Sequence, residues 1–180
     1  MGCSRCHLAA FRTRQVPGRG DLPADFLFIG EAPGRTEDLL GKAFIGPTKR
    51  IIDAAQARVC QLLRLAAFPS SYFTNVLQCR PCDVLGGPNR QPTGEEAWAC
   101  WPNLERQYLA AKPKRVVFLG KIPEQFCSKA WPSAARLQHP AYILRKGGVE
   151  SPEFRIFARH LEELVKEHLT ATRPMARRIG

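Results

Sequence analysis

The chain has 180 residues, 44% of them hydrophobic and 24% charged, enough for one domain with a proper core and too few for two comfortable ones. No apolar run approaches the roughly 20 residues that span a bilayer, and the opening MGCSRCHLAA lacks the charged-then-apolar pattern of an export signal, so the expectation is a soluble, intracellular, cytoplasmic protein. A formal charge of +11 favours a polyanionic partner over a basic one, nucleic acid being the commonest polyanion.

Residues 1–25 carry Cys3-Ser-Arg-Cys6 and then the polar run QVPGRGDLPAD, read as loop with no core signal, so that something other than packing must hold it. Phe26 to Ile29 is a short apolar, β-prone run. Gly30, Pro33 and Gly34 then punctuate a tight loop of the kind that presents backbone N–H groups at the carboxyl edge of a sheet, where α/β proteins bind ligands. Leu39 to Pro47 reads as a second loop, with Phe44 and Ile45 as its apolar content. Thr48 is placed to cap a helix whose Ile51, Ile52, Ala55, Val59, Leu62 and Leu63 recur at helical spacing. Tyr72 to Leu77 is a second strand-like run, followed by the Pro/Gly/Cys loop CRPCDVLGGPNRQPTG. Thr93 and Glu96 form a capping box for a helix over 94–111 that Pro113 ends. Val116 to Gly120 is a third strand, a short helix lies around Glu124 to Ala130, and LQHPAYILRKGG is a strand-like entry into a loop. A last helix covers Pro152 to Leu169, with Phe154, Phe157, Leu161, Leu164 and Val165 on one face. Strands alternating with helices imply a three-layer αβα sandwich around a short, mainly parallel four-stranded sheet.

Seven cysteines is a high and odd count for an intracellular chain, and without export, metal ligation accounts for them better than disulfides. Cys3-x-x-Cys6 has the spacing of two ligands to one centre; Cys79 and Cys100 each end an element beside proline. Four thiolates with no histidine suit either structural zinc or an iron–sulfur cluster. Cys82 rivals Cys79, while Cys60 and Cys127 sit in apolar helical contexts. Asn75, after a strand-like run, can present its amide to a base edge that shows one donor and one acceptor. His139 precedes Pro140 at the end of the fourth strand-like segment.

In order, GEAPGRTED, GKAFIGP, TNVLQCRP, NRQPTGEEAWACWP, VVFLG and HPAYILR resemble the iron–sulfur uracil-DNA glycosylases, the family 4 branch of that superfamily. The resemblance runs from Cys3 to about Leu169. It implies a monofunctional DNA base-excision repair hydrolase that flips uracil out of DNA and hydrolyses its N-glycosidic bond. It assigns backbone contacts to uracil at Glu31 and Ala32, a stacking ring at Phe44, and the reader of the uracil edge at Asn75. His139 would donate to O2 as charge develops, and Glu37 would block the C5 methyl of thymine. Tyr142, Ile143, Leu144 and Arg145 would enter the minor groove and fill the gap left by the base. Cys3, Cys6, Cys79 and Cys100 would hold a structural [4Fe-4S] cluster that tethers residues 1–25. The implied partner is uracil-containing DNA, single- or double-stranded, with no membrane; the expected protein is a monomer with one domain over 1–180 and a basic tail over 170–180.

Three features depart from the family pattern. Twenty residues separate Cys79 from Cys100, through an insertion around CDVLGG, which keeps Cys82 in contention. GPTKRII brings Lys49 and Arg50 to the expected pocket mouth as further DNA contacts, and could turn the site toward another deaminated or modified base. Ala32 stands where other superfamily members carry a water-positioning Asp, leaving Glu31, Glu37 and Asp38 as candidates and a non-catalytic DNA-binding relative as a rival reading.

Overall fold

A computed structural model describes residues 2–172; the tail beyond 172 lies outside the described residues. Its elements are strand β1 (Arg19–Gly20), strand β2 (Phe26–Gly30), helices α1 (Arg35–Leu40) and α2 (Lys49–Leu63), strand β3 (Ser71–Asn75), helix α3 (Gly94–Ala111), strand β4 (Arg115–Leu119), helix α4 (Lys121–Cys127), strand β5 (Ala135–Leu137), and helices α5 (Pro140–Arg145) and α6 (Pro152–Thr172). The sheet order is β1-β3-β2-β4-β5, with β1 antiparallel to β3 and every other pairing parallel.

All five residues of β2 are buried, as a central strand covered on both faces requires. Alternation splits them between two layers. Phe26 and Phe28 pack with Ile51, Ala55 and Val59 of α2, Ile143 of α5, and Phe154, Phe157, Leu161 and Val165 of α6. Leu27 and Ile29 pack on the other side with Ala97 and Leu104 of α3 and Cys127 of α4. This is the αβα sandwich read from the alternation of strands and helices.

The sheet has five strands where four were expected. The extra one is β1, two residues long, too short for any periodic signal to mark it. Packing, which the polar sequence did not promise, holds the N-terminal segment: Leu8 is fully buried, and Val16 and Ala24 nearly so, each a single apolar residue inside polar sequence. Thr48 does not cap α2 with its side chain; it is already helical and makes no capping bond. The Thr93–Glu96 capping box on α3 forms as expected. The segment HPAYILR is a helix rather than a strand leading to a loop. Pro140 sits at its first position with φ preset for a helix, and the His139 side chain caps it.

Leu8→Ala is expected to cost about 2–5 kcal/mol in urea unfolding. A loss below ~0.5 kcal/mol would mean that packing contributes nothing to docking this segment.

Candidate active site and thiol cavity

Parallel pairing of β2 with β3 sets Gly30 opposite Asn75, and the pairing continues past the strand ends through Val76 N–H to the Gly30 carbonyl (2.9 Å) and Leu77 N–H to the Glu31 carbonyl (3.1 Å). A cavity of about 450 Å³ opens at this edge, lined among others by Glu31, Ala32, Glu37, Phe44, Asn75, Asn89, His139, Leu144 and Arg145. It is large enough for a flipped nucleobase. Gly30 makes the convergence possible: a Cβ there would lie 2.5 Å from Asn75 Oδ1 and 2.6 Å from Phe44 Cζ. Asn75, 4% exposed, contributes to the cavity wall from the end of β3.

His139 reaches the same cavity from the start of α5. Its Nδ1 accepts the Ala141 N–H at 3.0 Å. An Nδ1 that accepts carries no proton, so the neutral ring presents Nε2–H as a donor. Burial, with the Arg145 charge adding to it, pulls the imidazole down to about 4. The ring is therefore a neutral donor at physiological pH.

The three carboxylates that could position water have separate fates. Asp38 accepts from the Thr13 N–H (3.0 Å) and the Arg14 N–H (3.3 Å), tying the N-terminal segment to α1. Glu37 Oε1 accepts from the Gly46 N–H (2.7 Å) and the Ile45 N–H (3.2 Å), so although it lines the cavity its charge is spent on the Phe44 loop. Glu31 faces the cavity, and burial alone raises its carboxyl above the usual range.

The expected DNA-contacting residues divide. Leu144 and Arg145 line the cavity, and Tyr142 borders an adjoining cleft with Lys121, Arg136 and His160. Ile143 is fully buried among α2 and α6 and is corrected to a core residue, because it falls on the side of the short helix α5 that packs inward. Lys49 and Arg50 stand outside the cavity wall, which ends at Pro47 and Thr48; the Lys49 ammonium pairs with Asp53 one turn on. Sequence reasoning passed over Asn89, which lines the cavity from the inserted loop and accepts from the buried Arg80 at 2.5 Å. The only sequence signal for it was its place in a long loop that had to be tethered.

Cys3, Cys6, Cys79 and Cys100 line a second, smaller cavity. Cys82 is buried outside it, its sulfur 3.9 Å from the Phe11 carbonyl and 3.8 Å from the Arg80 carbonyl. Donors surround the gathered sulfurs. Arg12 reaches Cys79 Sγ at 2.9 Å, the Gln78 N–H reaches Cys100 Sγ at 3.4 Å, and Asn103 Nδ2 lies 3.6 Å and 3.7 Å from the sulfurs of Cys3 and Cys100. Burial nonetheless pushes the Cys79 thiol up to about 11, with Arg12 opposing, so thiolates here call for a bound cation. Among the described residues no three His, Cys, Asp or Glu side chains close on the geometry of a single ion.

A model of the uracil DNA glycosylase superfamily matches residues 17–163. The chain is 40% identical over 126 residues to a type-4 uracil-DNA glycosylase of Archaeoglobus fulgidus, covering 70% of this chain and 58% of that protein. It is 35% identical to one of Thermotoga maritima, covering 69% and 59%, and 27% identical to a type-5 uracil-DNA glycosylase of Pyrobaculum aerophilum, covering 68% and 63%. The chain thus spans between half and two thirds of the length of the curated relatives it matches. With most of its length inside the family model and the nucleobase-sized cavity at the sheet's carboxyl edge, the chain belongs to the uracil DNA glycosylase superfamily.

Proposed function

We propose that this chain excises uracil from DNA as a monofunctional glycosylase. The observation that carries the reading is the convergence of a buried carboxamide, an aromatic ring and a neutral imidazole donor on one cavity. The Asn75 carbonyl accepts uracil N3–H while its amide donates to O4, a pattern that cytosine inverts. The Phe44 ring stacks on the flipped base. As the N-glycosidic bond breaks and negative charge grows on the uracil ring, His139 Nε2–H donates to O2. A preorganised donor of this kind lowers such a barrier by about 3–4 kcal/mol. Glu31 orients the water that adds to the sugar carbon, since Glu37 and Asp38 are occupied by backbone amides. Leu144 and Arg145 contact the DNA beside the cavity. Uracil is favoured over another base because Lys49 and Arg50 add nothing to the cavity wall.

Cys3, Cys6, Cys79 and Cys100 hold a [4Fe-4S] cluster. An all-thiol donor set around a common cavity, with hydrogen-bond donors aimed at its sulfurs, supports a cluster. When bound, the cluster supplies cross-linking of the N-terminal segment to the loop after β3 and to α3. The +11 charge supplies the attraction to DNA. No described helix is long and apolar enough to cross a membrane.

Protein purified without oxygen is expected to absorb at about 400 nm and to leave alkali-labile sites at uracil in an oligonucleotide. Asn75→Ala should slow release by about 10²-fold or more. A folded wild type that binds the oligonucleotide and leaves uracil in place overturns the reading, and a colourless four-thiolate protein overturns the cluster.

The pH dependence follows from His139. Its folded-state pKa of about 4 lies below the unfolded value of about 6.5. Between these values the unfolded chain binds the extra proton, so His139 stabilises the fold fully above about 6.5 and loses that contribution as pH falls toward 4. Single-turnover release should therefore show no His139 limb near pH 6.5. A limb there that His139→Gln abolishes would show that the ring titrates normally.

A further inference from the structure

Phe44 is built in a conformation that bulky residues avoid. Its φ is +52°, in the left-handed region, where a side chain persists only when its surroundings over-determine it. The surroundings come from two sides. Arg19 Nε donates to the Ala43 carbonyl at 2.5 Å, and a terminal nitrogen of the same guanidinium donates to the Phe44 carbonyl at 2.8 Å. On the other side, Glu37 Oε1 accepts from the amides of Ile45 and Gly46. A cation thus holds two consecutive carbonyls and an anion the next two amides. The Phe44 ring is left against Phe73, with centroids 5.7 Å apart.

Arg19 is fixed in its turn. It pairs with Phe73 across the β1–β3 ladder, and its guanidinium carbon lies 5.5 Å from the centroid of the Phe73 ring. Its neighbour Gly20 has φ +131°, and a Cβ there would fall 2.0 Å from the Ser71 carbonyl oxygen. Only glycine lets the two-residue strand lie close enough to aim Arg19 at the loop.

We propose that Arg19 and Glu37 are positioning residues that clamp the 43–46 backbone and hold Phe44 as a preformed stacking platform for the flipped base. The clamp needs the planar two-donor fork of arginine, because an ammonium cannot span two carbonyls in the same way. The role of the ring rests on the proposed uracil excision; the clamp itself rests on the loop geometry alone.

Two measurements decide it. The first is amide exchange at Ile45 and Gly46, which requires no catalysis. Exchange at both should rise about tenfold or more in Arg19→Met and remain raised in Arg19→Lys; unchanged exchange overturns the clamp. The second is base release from a single-stranded uracil oligonucleotide by the cluster-loaded protein. Arg19→Met should raise KM, lower kcat/KM by about tenfold, and leave the salt slope of DNA binding unchanged. In a Phe44→Gly background, which removes both ring and strain, Arg19→Met should change release less than about twofold. Full rescue by Arg19→Lys would assign Arg19 to charge alone, and an undiminished effect in the Phe44→Gly background would assign it to general packing; either overturns the proposal. A wild type that releases no uracil removes the function reading, while the exchange data still settle the clamp.

Discussion

The approach of Asn75 and Phe44 to the alpha carbon of Gly30 is the constraint on which the site depends. β2 is buried on both faces and leaves the sheet at a residue where even a methyl group would strike both side chains. The strand register puts Asn75 there. The row Phe28, Phe73 and Phe44, with successive ring centroids 4.8 Å and 5.7 Å apart, carries the packed core outward to the cavity wall. A close-packed core passes small displacements on rather than absorbing them, so the cavity inherits the stiffness of the sheet.

Helix α1 joins this edge to the thiol cavity. Two of its consecutive residues carry buried carboxylates that point to different duties. Glu37 accepts the amides of the Phe44 loop, and Asp38 accepts those of Thr13 and Arg14. Arg12, next in line, donates to Cys79 Sγ and to the Cys3 carbonyl. Bound carboxylates of this kind are costly to leave unpaired, so whatever orders the N-terminal segment also orders α1, and through it the loop that holds Phe44. The inserted loop is tied in by the same means. Arg90 bonds Asp83 and the almost fully buried Glu96, while Arg80 holds Asn89 at the cavity.

How far the site could be read in advance depended on the kind of signal. Phe26 to Ile29, the capping box at Thr93 and Glu96, and the apolar face of α6 are local patterns of period or hydrogen bonding, and they appear in the structure nearly as read. The motifs around Glu31, Phe44, Asn75 and His139 lie in loops at strand ends, and topology alone brings such ends together. β1 escaped notice because two residues carry no period. The burial of Leu8 and Val16 escaped because single apolar residues in polar sequence resemble chance. Ile143 was misread because a wedge and a short helix share the same apolar run, and what separates them is the cap at His139 followed by Pro140.

By itself the sequence determined the alternation of strands and helices, the basic charge, the thiol-rich donor set and the order of its motifs. All of these are properties of composition and short-range spacing. Only the tertiary structure decided that Glu37 and Asp38 accept backbone amides while Glu31 lines the cavity, that Cys79 rather than Cys82 faces the other thiols, and that Arg19 grips the Phe44 loop. Each of these depends on which atoms meet across tens of residues, and that is set by packing of the two core layers on β2.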